Sequence, residues 1–434
     1  MLPVWDDLEK SQVSDEKIEE AVARLIEAHE TDETSHLGIG ESLQSHKASE
    51  IIDHLALSIV NDKIKNGEIE TPKLNDACKI GDCVVAVSGG DYNNLQDAID
   101  AGYLNIYVKT GVYSITSDIE LTDGLNIIGS DNNEVVFDFN DGTKQFKLTG
   151  TSGSKIRNVR ISGVQFLDCH NYVITGNYLE YIQIDDCKFI DCYGAINFYV
   201  YNAGYYENIT IEKNYFHGGQ SGYYAVRIES NQAVVAQPVY VRYNVFDNCY
   251  NTVISLMCKD FTQGTFNYFI YNLIKFDSKK TSGIVVELYG GLIQGNYIYR
   301  GHEAISCAYA DVINNLLYDL NNRGIIFQQD TGLISGNNLF SIDGGVNKLG
   351  IFLDGVSLVR VVNNYLQDCD SKGIYIDGGE HNIVSNNIIE NSSYGIDLDN
   401  SADYNIILGN MIYGCTTAID GSVLNNEIAH NIDD

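Results

Sequence analysis

Asp354, Asp377 and Asp399 each follow the same four-residue phrase, small-Ile-x-apolar: GIFL at 350, GIYI at 373 and GIDL at 395. In an extended strand, alternation puts the Ile and the closing apolar residue on one face. The x residue and the residue after the phrase then share the other face. If the phrases stack on successive turns of chain, their carboxylates lie about 5 Å apart, with Tyr375 and Asp397 of the x column beside them. Carboxylates that close cannot all ionise freely, so one pKa rises or a cation binds. A protonated acid beside an ionised carboxylate is what glycoside hydrolysis uses, adjacent turns suiting the retaining separation and alternate turns approaching the inverting one. The same oxygens suit Ca²⁺, and aspartates that end strands and face water need no ligand. The sequence leaves all three readings open. The catalytic candidates are Asp354, Asp377 and Asp399.

Upstream, the column of residues after the phrase reads Tyr199, Glu229, Leu256, Glu287, Ala308 and Gln328. The x column reads Asn197, Arg227, Ile254, Val285, Ser306, Ile326 and Phe352. Tyr199, Arg227, Glu229 and Tyr375 are the candidates for substrate binding. Tyr201, Tyr205, Tyr206, Tyr223 and Tyr224 fall with Tyr199 in the longer connections of the early turns. Exposed rings there would stack on sugar faces or pack between subunits. His29, His36, His46 and His54 are spaced by 7, 10 and 8 residues with no cysteine among them. That matches no compact ligand pattern, so no metal is assigned to them.

What must position these residues is a repeat. The phrase apolar-x-x-Asn-x-apolar recurs from IEKNYF (Asn214) through IQGNYI (Asn296) and ISGNNL (Asn337) to ILGNMI (Asn410). Val164 and Cys187 fill its slot earlier, Asn426 reads as its last echo, and successive slots lie 16 to 30 residues apart. A period near 24 residues with two or three short strands per repeat indicates a parallel β-solenoid. Leucine-rich repeats need denser Leu, and propeller blades need longer antiparallel units. About twelve coils at about 4.8 Å each give a rod of roughly 55–60 Å. An Asn column can hold such a rod in register, each side-chain amide donating to one neighbour and accepting from the next. Cys169, Cys192, Cys249, Cys369 and Cys415 all sit five residues after the slot, which reads as a column of buried thiols. The opening stretch MLPVWDDLEK is no secretory signal, so the thiols are expected to stay reduced.

The 434 residues carry 27 basic and 59 acidic side chains, net −32. That argues against nucleic acid and against polyanions lacking an intervening cation. No apolar run is long enough for membrane insertion. The chain holds 43 Asn and 30 Tyr, none of them in its first 60 residues. Residues 1–75 hold 7 basic and 17 acidic residues, net −10. Ile18, Ala21, Val22, Leu25 and Ile26, then Ala48, Ile51, Ile52, Leu55 and Ile59, form two apolar stripes at helical spacing. Helices that short need a partner surface. Three parts are expected: a helical attachment or oligomerisation segment over 1–75, a capping helix with entry strands over 76–150, and the repeats over 151–434.

His36 to Ile64, with His36-Leu37-Gly38, Glu41-Ser42-Leu43 and Ile51-Ile52-Asp53-His54, resembles a segment near the N-termini of tailed-virus structural proteins, tail fibres and spikes included. The resemblance implies attachment to a virion and trimerisation. Asn94 to Ala101, a short amphipathic helix closed by Gly102, precedes strands at 105–115 and at Leu125 to Phe139. This run resembles the capped start of right-handed β-helices of the pectin-lyase-like superfamily. It implies an all-β, right-handed single-stranded parallel β-helix with a small α-helical N-terminal segment. Fold is specified far better than function, because lyases, hydrolases, epimerases and viral spikes share it. The paired-Asp, Gly-His-Gly and Arg-x-Lys motifs of polygalacturonase-like chains are missing, and Asp185-Asp186 stands apart. Arg227 beside Glu229, and Arg300 with His302, are the basic candidates for lyase chemistry.

The expectation is a homotrimeric virion spike or fibre protein. Residues 1–75 would dock it to other tail proteins and the β-helix would contact host-surface polysaccharide, with glycan depolymerisation as a secondary activity. The alternatives are a non-viral glycoside hydrolase or polysaccharide lyase, and a structural rod without ligand. No cofactor is assigned beyond Ca²⁺ as the alternative occupant of the aspartates.

Overall fold

Glycine, asparagine and β-branched residues at fixed spacing give short strands joined by sharp turns, and the computed structural model shows how these close into coils. It describes residues 82–200, 206–230, 238–250, 252–258, 267–345, 347–399, 401–421 and 425–433, with backbone alone at 200, 230 and 258. The helices expected within residues 1–75 lie outside the described residues. Contacts divide the chain into Met1–Cys78 and Lys79–Asp434.

Each full coil contributes three parallel strands, one to each of three faces. Gly194–Val200, Tyr206–Glu212 and Tyr215–His217 make one coil, and Val226–Ser230, Val239–Arg242 and Val245–Asp247 stack on them in parallel. The first face carries the small-Ile-x-apolar phrase, the second precedes the Asn slot and the third follows it. Two 11-residue strands, Ile284–Gln294 and Glu303–Ile313, run unbroken from the first face to the second. They fuse those two faces into one 26-stranded sheet, while the third face is a separate 14-stranded sheet. The solenoid therefore has about 14 turns rather than twelve. The additional turns lie before the repeats, at Gly111–Ser114 and Val135–Gly142, where no Asn phrase marks them.

Columns of like residues fill the interior. Phe137, Phe166, Phe189, Phe216 and Phe246 lie on successive turns of the third face with centroids 4.7 to 5.8 Å apart, and Ile274, Ile298 and Leu317 continue the line. Across from it, Ile174, Ile196, Val226, Ile254, Val286 and Ile305 stack on the first face. Continuous stacking fills the interior with apolar side chains at close contact.

The Asn ladder stands at the turn between the second and third faces. Asn337 Oδ1 accepts from the Asn315 backbone N–H and from Asn315 Nδ2, both at 2.9 Å. Its own Nδ2 donates to Asn364 Oδ1 at 3.0 Å and to the Val312 carbonyl at 2.8 Å. The residue before the slot takes positive φ at turn after turn, as at Gly163, Asp186, Gly295, Asn314, Gly336, Asn363, Asn386 and Gly409. Glycine, Asn and Asp accept that left-handed geometry most readily, which accounts for their recurrence there. Asn426 is not the ladder's last member: Asn410 bonds onward to Asn431. Asn426 instead ends a second ladder, Asn382–Asn405–Asn426, at the turn between the first and second faces.

Before the rod lies the helix Leu95–Asp100, whose N-cap Asn94 Oδ1 accepts from Asp97 N–H at 2.8 Å. Its Leu95, Ala98 and Ile99 join the core, covering apolar surface at the start of the solenoid as a cap should. Cys169, Cys192, Cys249 and Cys369 are buried free thiols and Cys415 is half-buried.

Candidate functional site

The outward side of the first face is where the sequence placed its candidates, and strand registers fix their order. Asn197, Arg227, Ser255, Glu287 and Ser306 stand in line on successive turns. Ile326, Phe352, Tyr375, Asp397 and Asp420 continue the line. The neighbouring column holds Tyr199, Glu229 and Met257, then Tyr289 and Ala308, then Asp354 and Asp377. Leu256 and Glu287 therefore do not belong to that second column, nor Ile254 and Val285 to the first. The inward residue of GIVV is Val286, paired with Ile254. An unbroken apolar run erases the alternation that would have shown it, and the correction moves Glu287 beside Ser255.

Two clusters result. In the later one, Asp354 lies in register with Asp377. Asp399 follows on the next turn, its N–H donating to the Ile376 carbonyl at 2.9 Å. Asp354 is exposed, and Asp377 and Asp399 are half-buried. The Asp399 carboxylate accepts from Ser401 N–H and Oγ–H. Tyr375 stacks on Phe352 at 5.3 Å with 8° between planes, and Ile326 and Leu349 pack around them. Lys372 Nζ sits 3.2 Å above the Tyr375 ring and pairs with Asp397 at 2.6 Å. Arg323 lies 5.2 Å from the Phe352 ring. Burial, then Asp377, Asp399 and Asp397, push the Tyr375 hydroxyl up to about 12. Among the described residues no three Asp, Glu, His or Cys side chains are grouped as a metal ion requires.

In the earlier cluster, Glu229 is buried and both its oxygens are taken. Oε2 accepts from Arg227 Nη2 at 2.7 Å and Oε1 from Ser255 Oγ at 2.5 Å. Ser255 is fully buried. Glu287 stands in register beside that serine; burial, then the Glu229 charge, raise its carboxyl above the ordinary glutamate range, while Ser255 and Arg227 pull it back. The Arg227 guanidinium lies 4.2 Å from the Tyr199 ring and 5.2 Å from that of Tyr224. Arg227 Nε and Asn197 Oδ1, on adjacent strands, are buried with no partner among the described residues. This assembly joins three of the sequence candidates, Tyr199, Arg227 and Glu229, with Ser255 and Glu287, whose role the sequence reading missed. A tally of buried polar residues at the x positions, once in register, would have found it.

Other candidates scatter. Tyr206 is fully buried on the second face against Phe198, not exposed. Tyr201 and Tyr205 lie outside the described residues. Arg300 pairs with Asp319 at 3.2 Å, and burial lowers the His302 pKa. Asp185 is gripped by Arg160 and Ser162, all on the second face, as a structural ion pair.

No curated protein sequence matches the chain. Among solved structures, the A-module of a mannuronan C-5 epimerase from Azotobacter vinelandii aligns at TM-score 0.49 and 13% identity, over 78% of this chain and 92% of that one. A surface adhesin of Streptococcus pneumoniae aligns at 0.47 and 14%, over 76% and 87%. Tailspike protein 3 of bacteriophage CBA120 aligns at 0.47 and 13%, over 77% and 58%. Residues 261–412 match the family model of the right handed beta helix region.

Proposed function

We propose that this chain is a virion spike or fibre protein whose β-helix binds host-surface polysaccharide along the outward side of its first face. The observation that carries the glycan reading is the Phe352–Tyr375 stack edged by Asp354, Asp377, Asp397 and Asp399. A sugar offers an apolar ring face and a rim of hydroxyls. Aromatic rings beside carboxylates match both, the rings by stacking and the carboxylates as acceptors. Phe352 is buried and Tyr375 half-buried beneath Lys372, so what meets a chain laid along the rod is the rim of Tyr375 with its carboxylates, which repeat at the coil spacing. Supporting the viral role is the likeness of residues 36–64 to the N-termini of tail fibres and spikes, with docking to tail proteins and trimerisation following from it.

Retention of purified capsular polysaccharides and lipopolysaccharide O-chains on immobilised protein tests the glycan reading. The wild type should retain at least one polymer, and Tyr375→Ala should weaken that retention about tenfold or more, the loss expected of one stacked ring. Retention that is indifferent to Tyr375→Ala moves the site elsewhere, and absence of retention leaves a structural rod.

A further inference from the structure

We propose that the outward side of the third face is the surface through which neighbouring copies of this chain pack side by side. This rests on the trimer reading above and names the contact surface within it.

The third face has two outward columns. In the one that directly follows the Asn slot, Tyr215, Val245, Leu273, Tyr297 and Leu316 stand on consecutive turns. From Tyr215 to Ile432, nine of ten turns hold an apolar or aromatic side chain in this column, the tenth holding Asn338. Tyr299, Tyr318 and Phe340 stand in the second column. Rings run on along the rod from Tyr297 through Tyr299, Tyr318 and Phe340 to Tyr365, with centroids 5.4 to 6.4 Å apart. Tyr318 is 39% exposed and Ile432 54%, and the rest are half-buried. A sheet with one side in the core ordinarily alternates to polar residues on the other. A contiguous apolar strip there marks a contact surface.

Charge points to the partner. At net −32, two copies repel unless they meet where carboxylates are few. The first face is unsuited, because Asp354, Asp377 and Asp397 stand on its outward side. On the third face the first column carries no charge over those ten turns. The second column, from His217 to Tyr413, carries two carboxylates. Asp247 accepts from the Tyr215 hydroxyl at 2.6 Å and faces Lys275 at 3.8 Å. Glu390 accepts from the Tyr365 hydroxyl at 2.8 Å. Both carboxylates already hold donors from within the strip, so covering it desolvates little bare charge. The aliphatic members decide against a glycan as the occupant. Val245, Leu273, Leu316, Ile388 and Met411 offer neither a ring to stack on a sugar nor partners for its hydroxyls.

The size of the strip sets how it is used. Turns spaced by about 4.8 Å, with two side chains across, give it roughly 500 Å². A stable interface takes about 800 Å² from each partner, so the strip is too small to join copies from free solution. Copies tethered through residues 1–75 meet at a far higher effective concentration, where a strip of this size suffices. Tethered at the same end, they run in one direction. Each turn then faces its equivalent, and the apolar rows match at the coil spacing. The first face, with its carboxylates, stays in water.

The test uses the full-length protein, with Leu316→Cys and Asp354→Cys each treated with a short bismaleimide. Leu316→Cys should give a band at twice the 48.1-kDa chain mass, beyond any given by the wild type. Asp354→Cys, exposed on the first face, should give none. Leu316→Glu sets like charges against one another, and should raise the concentration at which the trimer comes apart about tenfold or more. Should Leu316→Glu fail to fold, the Leu316→Cys band decides. A trimeric wild type with no Leu316→Cys band overturns the strip and leaves the trimer reading intact. A Leu316→Glu trimer as tight as the wild type also overturns it. Loss of polysaccharide retention by Leu316→Glu with the trimer unchanged assigns the strip to glycan and overturns the proposal. A wild type of single-chain mass overturns both the strip and the trimer.

Discussion

Asn337 shows how much of this fold is settled by single side chains. Its amide makes contacts with Asn315, Asn364 and Val312 from a fully buried position, so Asn337→Ala strands backbone and amide groups on both neighbouring turns. At about 1–3 kcal/mol per unsatisfied buried group, the substitution should lower stability by about 3–5 kcal/mol, read as the midpoint shift in guanidinium unfolding. A loss under 1 kcal/mol would show that the ladder only decorates the turn. Glu287 gives a second test, one of pH. Its folded pKa is raised above the ordinary 4.5, so the protonated form is favoured in the native state. The associated stability is full below that ordinary value and declines as pH rises through the raised one. The melting temperature of the wild type should therefore fall relative to that of Glu287→Gln as pH is taken upward from about 4.5. A constant difference between the two proteins would mean that the Glu287 pKa is the same in the folded and unfolded states.

At the scale of the strand, register decided what the pattern could not. The Asn slot and the small-Ile-x-apolar phrase were both legible, because each depends on local geometry: a buried amide and a period-two alternation. The phrase failed where side chains on both sides are apolar. In Ile284-Val285-Val286 nothing local distinguishes inward from outward, and only pairing of Val286 with Ile254 does so. A single misplacement there hid the contact of Glu287 with Ser255. The turns at Gly111–Ser114 and Val135–Gly142 fell among the expected entry strands but outside the count of coils, because Asn is absent from their slot. Asn426 was misassigned because two ladders use the same residue for the same reason.

For the whole molecule, the proposal of a virion spike carries a prediction about mass. One chain weighs 48.1 kDa, and light scattering should return about three times that for the full-length protein. The chain lacking residues 1–81 should keep the β-sheet circular dichroism of the rod yet lose the trimer, since the helical stripes are the expected oligomerisation element. A full-length mass near 48.1 kDa, or a trimer that survives the truncation, would place assembly elsewhere. The apolar columns of the rod are closed around one axis, and its start is covered by the Leu95–Asp100 helix.

The amino-acid sequence alone determined that this is a parallel β-helix with an Asn ladder, buried thiols and a stack of Asp354, Asp377 and Asp399. Each of those follows from a repeat, and in a solenoid a repeat in sequence is a column in space. Only the tertiary structure decided which columns adjoin. Arg227, Ser255 and Glu287 are 28 and 32 residues apart along the chain, yet they stand on three consecutive strands. Variable turn lengths set that alignment through backbone pairing, and no side-chain pattern records it.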